Sequence, residues 1–326
     1  MSDGGHDDDD DELIEVTITD GGRRLDTTIA AAIPTLSRSQ VQRLIEEGCV
    51  VRRDDGYVAT KPGARVLPGW VFDVRVPPPE PLEVTAEPIA LSILYEDAEL
   101  IVIDKPAGMV VHPAPGHATG TLVNALLYHC TDLAGIGGVL RPGIVHRLDK
   151  DTTGAMVATK TGRAHASLTA QFAAKSRGEP GGIAREYLAI TSPPPPSPTG
   201  TLRTAYGRHP IHRKKFTSKL AGGKPAVTHW QIVELLYGGD AALVRFVLET
   251  GRTHQIRVHA SDAGWPLLGD PVYGHKPRTD ELAAAADALG RQALHAHTLA
   301  FTHPTTAERM SFTAPVPADF AAATRR

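Results

Sequence analysis

The chain has 326 residues, 41% hydrophobic and 22% charged, which suits a globular protein of about two domains. No apolar stretch approaches the ~20 residues that span a bilayer, and the N-terminus is acidic rather than a signal peptide. Cys49 and Cys130 are too few for a disulfide framework or a zinc ribbon, so a reducing, cytoplasmic setting is expected. The formal net charge of −3 conceals an asymmetry, because residues 1–12 carry seven acids and no Lys or Arg. Setting those seven aside leaves 34 basic residues against 30 acidic ones, a mildly basic body compatible with a polyanionic partner.

Residues 1–19 read as a disordered acidic tail. A compact unit over 20–80 follows. In it Leu25, Ile29 and Ala32 fall at helical spacing, and Ser37-Arg38-Ser39-Gln40 reads as a capping box opening a second helix. Val41, Leu44 and Ile45 supply that helix's apolar face and Gly48 its C′ position, while Arg38 and Arg43 stand among the exposed cations. The stretch from Cys49 to Val76 is strand-like. Pro77, Pro78, Pro79 and Pro81 then open a linker, taken as 81–90.

The larger unit, 91–326, is rich in strands. Leu100 to Ile103, Ala155 to Thr159, Tyr187 to Thr191, Val227 to Leu236 and Leu243 to Leu248 are apolar or alternating runs bounded by Gly, Pro or Asp. Ala164, Leu168 and Phe172 mark one helix, and Ile256 and Ala260 another. An alanine-rich segment, Glu281 to Leu289, reads as a surface helix. Strands and helices interleave without regular βαβ spacing, which favours a mixed α+β sheet over a doubly wound one.

Four segments bear chemistry. His146-Arg147-Leu148-Asp149-Lys150-Asp151-Thr152-Thr153-Gly154 lies between apolar Ile144-Val145 and the run Ala155 to Ala158. An aspartate between two cations in a turn is either a hydrogen-bonding turn residue or a nucleophile or base held ionised by Arg147 and Lys150, with Gly154 allowing a tight reversal. Thr250 to His259 packs Arg252, His254, Arg257 and His259 about one apolar face. Arg257 there either belongs to an exposed cationic helix that bears no site or pairs bidentately with a buried carboxylate. Tyr187 sits in a strand-like run, where tyrosine is usually core; the functional alternative is a ring stacking on a planar substrate. Arg203 to Lys224 holds nine basic or histidine residues and no acid, among them Arg208, Arg213, Lys214 and Lys215. That profile suits phosphate contacts with little base readout. Fifteen histidines raise the question of a metal, yet no H-E-x-x-H or cysteine pair stands at ligand spacing, so no metal is expected. No nucleotide-binding glycine loop occurs either.

HRLDKDTTG, REYLAI, TGRTHQIRVH, PLLGDPVYG and LHAHTLAFTHP, in this order, closely resemble the RluA-type family of ribosomal RNA pseudouridine synthases, most nearly its large-subunit synthase D type. RRLDTTIAAAIPTLSRSQVQRLIEEGCVV resembles the small α/β RNA-binding domain typified by ribosomal protein S-four. The resemblance spans about residues 20–318. It implies a mixed, largely antiparallel sheet with flanking helices and a central cleft, and an isomerisation of uridine to pseudouridine without a cofactor. It also implies a large-subunit, 23S-type ribosomal RNA partner. By position Asp149 matches the catalytic aspartate, Tyr187 the active-site tyrosine, Arg257 the basic partner of the aspartate, and Arg147 an arginine near the extruded nucleotide. Arg208, Arg213, Lys214, Lys215, Arg252, His254, Arg38 and Arg43 are then expected to contact RNA. Thr153 and Phe216 depart from the family's serine and methionine, and the loop Ser176 to Gly182 is longer than usual. A monomer is the default expectation. Two other readings compete with it: a non-catalytic RNA-binding assembly factor, and an aspartate-dependent glycosidic hydrolase with Asp151 as its second carboxylate.

Overall fold

The computed structural model describes residues 12–33, 36, 38–76, 84–113, 117–131, 143–177, 179, 182–212 and 215–324. The chain divides into two compact units, Met1–Glu83 and Val84–Arg326.

In the first unit the strand β1 (Glu12–Thr17) precedes helices α1 (Leu25–Ala32) and α2 (Arg38–Glu46), then β2 (Val50–Arg52) and β3 (Val71–Val76). The strands form an antiparallel sheet ordered β1-β3-β2. The expected disordered tail is therefore corrected over its last residues. Ile14, Val16 and Ile18 alternate with polar neighbours, a period-two pattern that the adjoining acids obscure, and Val16 pairs with Phe72 of β3. Leu25, Ile29, Val41, Leu44 and Ile45 meet Phe72 and Val74 in one core. In α1 the residue closing the buried face is Ile33 rather than Ala32, which is exposed. Gly48 takes φ +76, the left-handed turn expected after α2. The expected capping box of Ser37 and Gln40 depends on Ser37, and the prolines 77–79 and 81 fall within residues 77–83; both lie outside the described residues, as does the tail through residue 11.

The second unit holds the rest. Its strands are β4 (Ser92–Glu96), β5 (Leu100–Lys105), β6 (Gly143–Ile144), β7 (Thr153–Thr159), β8 (Ala184–Thr191), β9 (Thr199–Arg208), β10 (Phe216–Thr217), β11 (Lys224–Leu236), β12 (Ala241–Leu248), β13 (Leu294–Thr302) and β14 (Arg309–Thr313). Its helices are α3 (Leu122–His129), α4 (Gly162–Ser176), α5 (Gln255–Asp262), α6 (Asp280–Leu289) and α7 (Ala318–Ala323). Among the described residues these strands make one sheet ordered β10-β9-β11-β12-β8-β13-β7-β5-β4, with β14 beside β13 and β6 beside β7. All pairings are antiparallel except β13 with β7. The sheet is thus mixed and largely antiparallel, with flanking helices, as the resemblance implied. The alanine-rich α6 is less exposed than expected: Leu282 and Leu289 are buried against Ile190 and Phe320, so its small residues serve a half-buried helix.

β7 and β13 meet where the chain needs glycine. The reversal before β7 is made at Asp149, whose carbonyl accepts the Thr152 N–H at 3.1 Å. Gly154 itself lies inside β7, with φ +115, and a Cβ there would stand 2.2 Å from the Ala296 carbonyl oxygen. Its role is therefore close approach of two strands, not the tight turn expected of it.

Candidate active site

The turn from β6 to β7 delivers Asp149, and α5 faces it. Arg257 Nη1 donates to Asp149 Oδ2 at 2.9 Å, and the His254 ring lies 3.8 Å from Oδ1. The cation that meets the carboxylate is thus Arg257 and not its sequence neighbours Arg147 and Lys150, as the turn alone suggested. Adjacent side chains diverge, whereas α5 presents a guanidinium along its own axis.

Arg257 is itself held from behind. Its Nε and Nη2 donate to Asp270 Oδ2 and Oδ1 at 2.7 and 2.9 Å. Asp270 Oδ1 also accepts the backbone N–H groups of Val272 and Tyr273 at 2.9 and 3.0 Å. Side-chain exposure rises along this chain, from 0% at Asp270 through 6% at Arg257 to 16% at Asp149, so only the last carboxylate is offered to a ligand. Burial works against the Arg257 charge, but the hydrogen bonds and charge of Asp270, with Asp149 behind them, hold it above the ordinary arginine range. Burial likewise opposes ionisation of Asp270, and the Arg257 bonds outweigh it and keep that carboxyl below its usual range. The arrangement matches the bidentate reading of Arg257, with Asp270 as the buried carboxylate.

His254 caps α5 in the left-handed conformation, φ 59, and its Nδ1 lies 3.0 Å from the Tyr273 hydroxyl. Burial pulls its ring pKa down, with Asp149 opposing. Tyr187, on β8, is buried beside Asp149, and burial pushes its phenol pKa upward. Arg147, Asp149, Tyr187 and His254, with Leu248 and Leu294 as apolar walls, line a cleft. Among the described residues Asp149 is the single acid in that lining, and Asp151 is not part of it. A two-carboxylate hydrolysis therefore lacks its second acid.

The remaining residues singled out from the sequence fall in several places. Arg252 lines the same cleft and donates to the Pro225 carbonyl from Nε and Nη2 at 3.3 and 3.2 Å. Arg208 stacks 5.2 Å over Phe216, and the Lys215 ammonium stands 5.8 Å over Tyr273. Arg213 and Lys214 lie outside the described residues. In the first unit Arg38 donates to the buried Asp26 at 3.0 Å, and Arg43 pairs with Glu47 at 3.6 Å. Among the described residues no three His, Cys, Asp or Glu side chains converge as metal ligands would, and no helix is long and apolar enough to cross a membrane.

Two supporting residues escaped the sequence reading. Asp270 stands in Gly-Asp-Pro, which reads as an ordinary turn. Lys105 ends β5 fully buried, and its Nζ donates to the carbonyls of Pro106, Met109 and Lys150 at 2.8, 2.9 and 2.9 Å. It thereby ties β5 to the Asp149 turn. Burial lowers its pKa to about 8, against the pull of Asp151 and Asp149. The apolar run Leu100 to Ile103, broken off by Asp104-Lys105, was the available signal.

A family model described as RNA pseudouridylate synthase matches residues 99–262. An uncharacterised RNA pseudouridine synthase of Synechocystis sp. is 48% identical, over 92% of this chain and 87% of that protein. A ribosomal large subunit pseudouridine synthase D of Zymomonas mobilis is 45% identical, over 94% of each. Among solved structures, human RNA pseudouridylate synthase domain containing 1 aligns with a TM-score of 0.54 at 27% identity, covering 74% of this chain and 86% of that one.

Proposed function

Because this chain belongs to the RNA pseudouridylate synthase family, and so is an isomerase, we propose that its substrate is large-subunit, 23S-type ribosomal RNA and that Asp149 is its catalytic carboxylate. The reaction breaks the N1–C1′ glycosidic bond of a uridine and joins C1′ to C5. C5 gives up a proton and N1 gains one, so nothing is oxidised or reduced. The base must detach, turn and reattach, which requires the nucleotide to leave its stack and enter a closed pocket. A cleft with one carboxylate at its floor suits that need.

The observation that carries the assignment is the chain Asp270–Arg257–Asp149, a buried ion pair whose outer end points into the cleft. Asp149 acts on the sugar, either by attack at C1′ or by removal of the C2′ proton to give a glycal. Arg257 is a positioning residue that aims it. Tyr187 stacks on the detached uracil; its buried phenol holds its proton at neutral pH and so serves as a surface or donor rather than as an unaided base. Arg147, on the exposed rim, occupies the space the flipped base leaves or holds a nearby phosphate. Arg208, Lys215, Arg252 and His254 grip the RNA backbone, together with Arg213 and Lys214. Arg38 and Arg43 do so from the first unit, read as an S-four-type domain. The protein works as a cytoplasmic monomer.

Asp149→Asn tests this reading. The variant is expected to form no pseudouridine on unmodified large-subunit RNA while binding it with nearly wild-type affinity, since the amide keeps the shape of the side chain. Turnover persisting in that variant would remove Asp149 from the chemistry.

A further inference from the structure

Arg185, two residues before Tyr187 on β8, is 7% exposed, and its Nε and Nη2 are buried without a hydrogen-bond partner among the described residues. Elsewhere in this chain that edge of a guanidinium finds two oxygens. Arg24 places Nε and Nη2 on Asp26, Arg257 on Asp270, and Arg291 on Asp319. Arg185 presents the same fork to no carboxylate. Burial lowers its pKa and Tyr187 alone opposes, yet a guanidinium keeps its proton inside proteins. A buried cation with idle donors is costly unless an anion reaches it.

The surroundings say which anion. Arg185 lines a cavity of about 300 Å³ that shares Arg147, Asp149, Tyr187 and His254 with the catalytic cleft. Among the described residues three arginines, 147, 185 and 252, stand in its wall against a single carboxylate, Asp149, which Arg257 already engages. The wall is shaped around the guanidinium. The Phe172 ring lies 5.4 Å from Cζ, and a Cβ at Gly251 would come within 2.3 Å of Nη1. We propose that Arg185 is a phosphate ligand, closing Nε and Nη2 on two oxygens of the RNA phosphodiester beside the uridine that enters the cleft. The paired donors match the two non-bridging oxygens of a phosphodiester. The contact fixes the strand's register without reading its sequence. This inference rests on the reading of the substrate as RNA.

The test uses the full chain and unmodified large-subunit ribosomal RNA transcript, with Arg185→Gln, Arg185→Lys and Gly251→Ala. KM for pseudouridine formation is expected to rise about tenfold in Arg185→Gln, with kcat changed less than about twofold, as for loss of one positioning contact. Phosphate-ethylation interference on the wild type should show a sensitive phosphate next to the modified uridine. That one position is expected to lose its effect in Arg185→Gln while the others persist. Lysine keeps the charge but not the fork, and alanine at 251 displaces the guanidinium. Both are expected to lose the same position, which keeps the test open should the glutamine variant fail to fold. An interference pattern and KM unchanged across the folded variants would overturn the proposal. A wild-type protein that forms no pseudouridine on this RNA would instead overturn the functional reading, and interference with binding alone would still report on Arg185.

Discussion

At the scale of single residues, the candidate site is a relay of orientation that ends at the Asp149 carboxylate. Asp149 was legible in the sequence because two cations and a turn flank it, and Arg257 because its segment crowds arginines and histidines on a short helix. Asp270 was not legible, since nothing local distinguishes an aspartate that caps a turn from one that also anchors a guanidinium 13 residues away. Its burial makes it testable. Asp270→Asn leaves the Arg257 charge buried with one partner fewer, a change expected to cost about 3–5 kcal/mol in urea unfolding. Turnover should fall about a hundredfold through misplacement of Asp149. A variant of unchanged stability and rate would mean that Arg257 needs no support from behind.

The elements carry the next level of constraint. β7 leads out of the Asp149 turn and β13 runs parallel to it, with Thr153 opposite His295 and Gly154 opposite Ala296. Every strand run and helix face named from the sequence in the second unit falls within an observed strand or helix, because apolar periodicity reports directly on which face is buried. What periodicity does not contain is the partner. Gly154 reads as a turn residue until β13 is known to press on it. Gly154→Ala is therefore expected to destabilise by about 3 kcal/mol or more, through a forbidden backbone conformation and a Cβ inside contact distance. Urea unfolding of the variant measures it, and a cost below about 1 kcal/mol would show that β13 can retreat without harm.

For the molecule as a whole, stability depends on histidines that folding keeps neutral. His259 and His295 are buried, and burial pulls both pKa values down to about 4. His295 Nε2 faces the Ala314 carbonyl, which can only accept, so Nε2 carries the proton and Nδ1 accepts from the Thr153 hydroxyl at 2.9 Å. A further proton on Nδ1 forces the Thr153 hydroxyl to turn from donor to acceptor and places a charge in a buried site. The unfolded chain, with histidines near 6.5, binds more protons than the folded one between pH 4 and 6.5. Stability is thus full above 6.5 and falls as pH drops towards 4, by up to about 1.4 kcal/mol per pH unit for each histidine. His295→Gln should flatten that slope by one group's share in urea titrations across pH; an undiminished slope would place the sensitivity elsewhere. The same residue shows where reading from sequence stops. Fifteen histidines raised the possibility of metal ligands, and only the fold reveals that His295 answers a hydroxyl 142 positions earlier.

That long reach between β7 and β13 governs when the enzyme can first exist. A polypeptide emerges from its N-terminus, so Thr153 of β7 is made 142 residues before the His295 it meets on β13. Contacts of such separation form slowly. A product truncated before Leu294 carries every residue of the Asp149–Arg257–Asp270 relay but lacks the strand that both β7 and β8 pair with, and is expected to lose turnover.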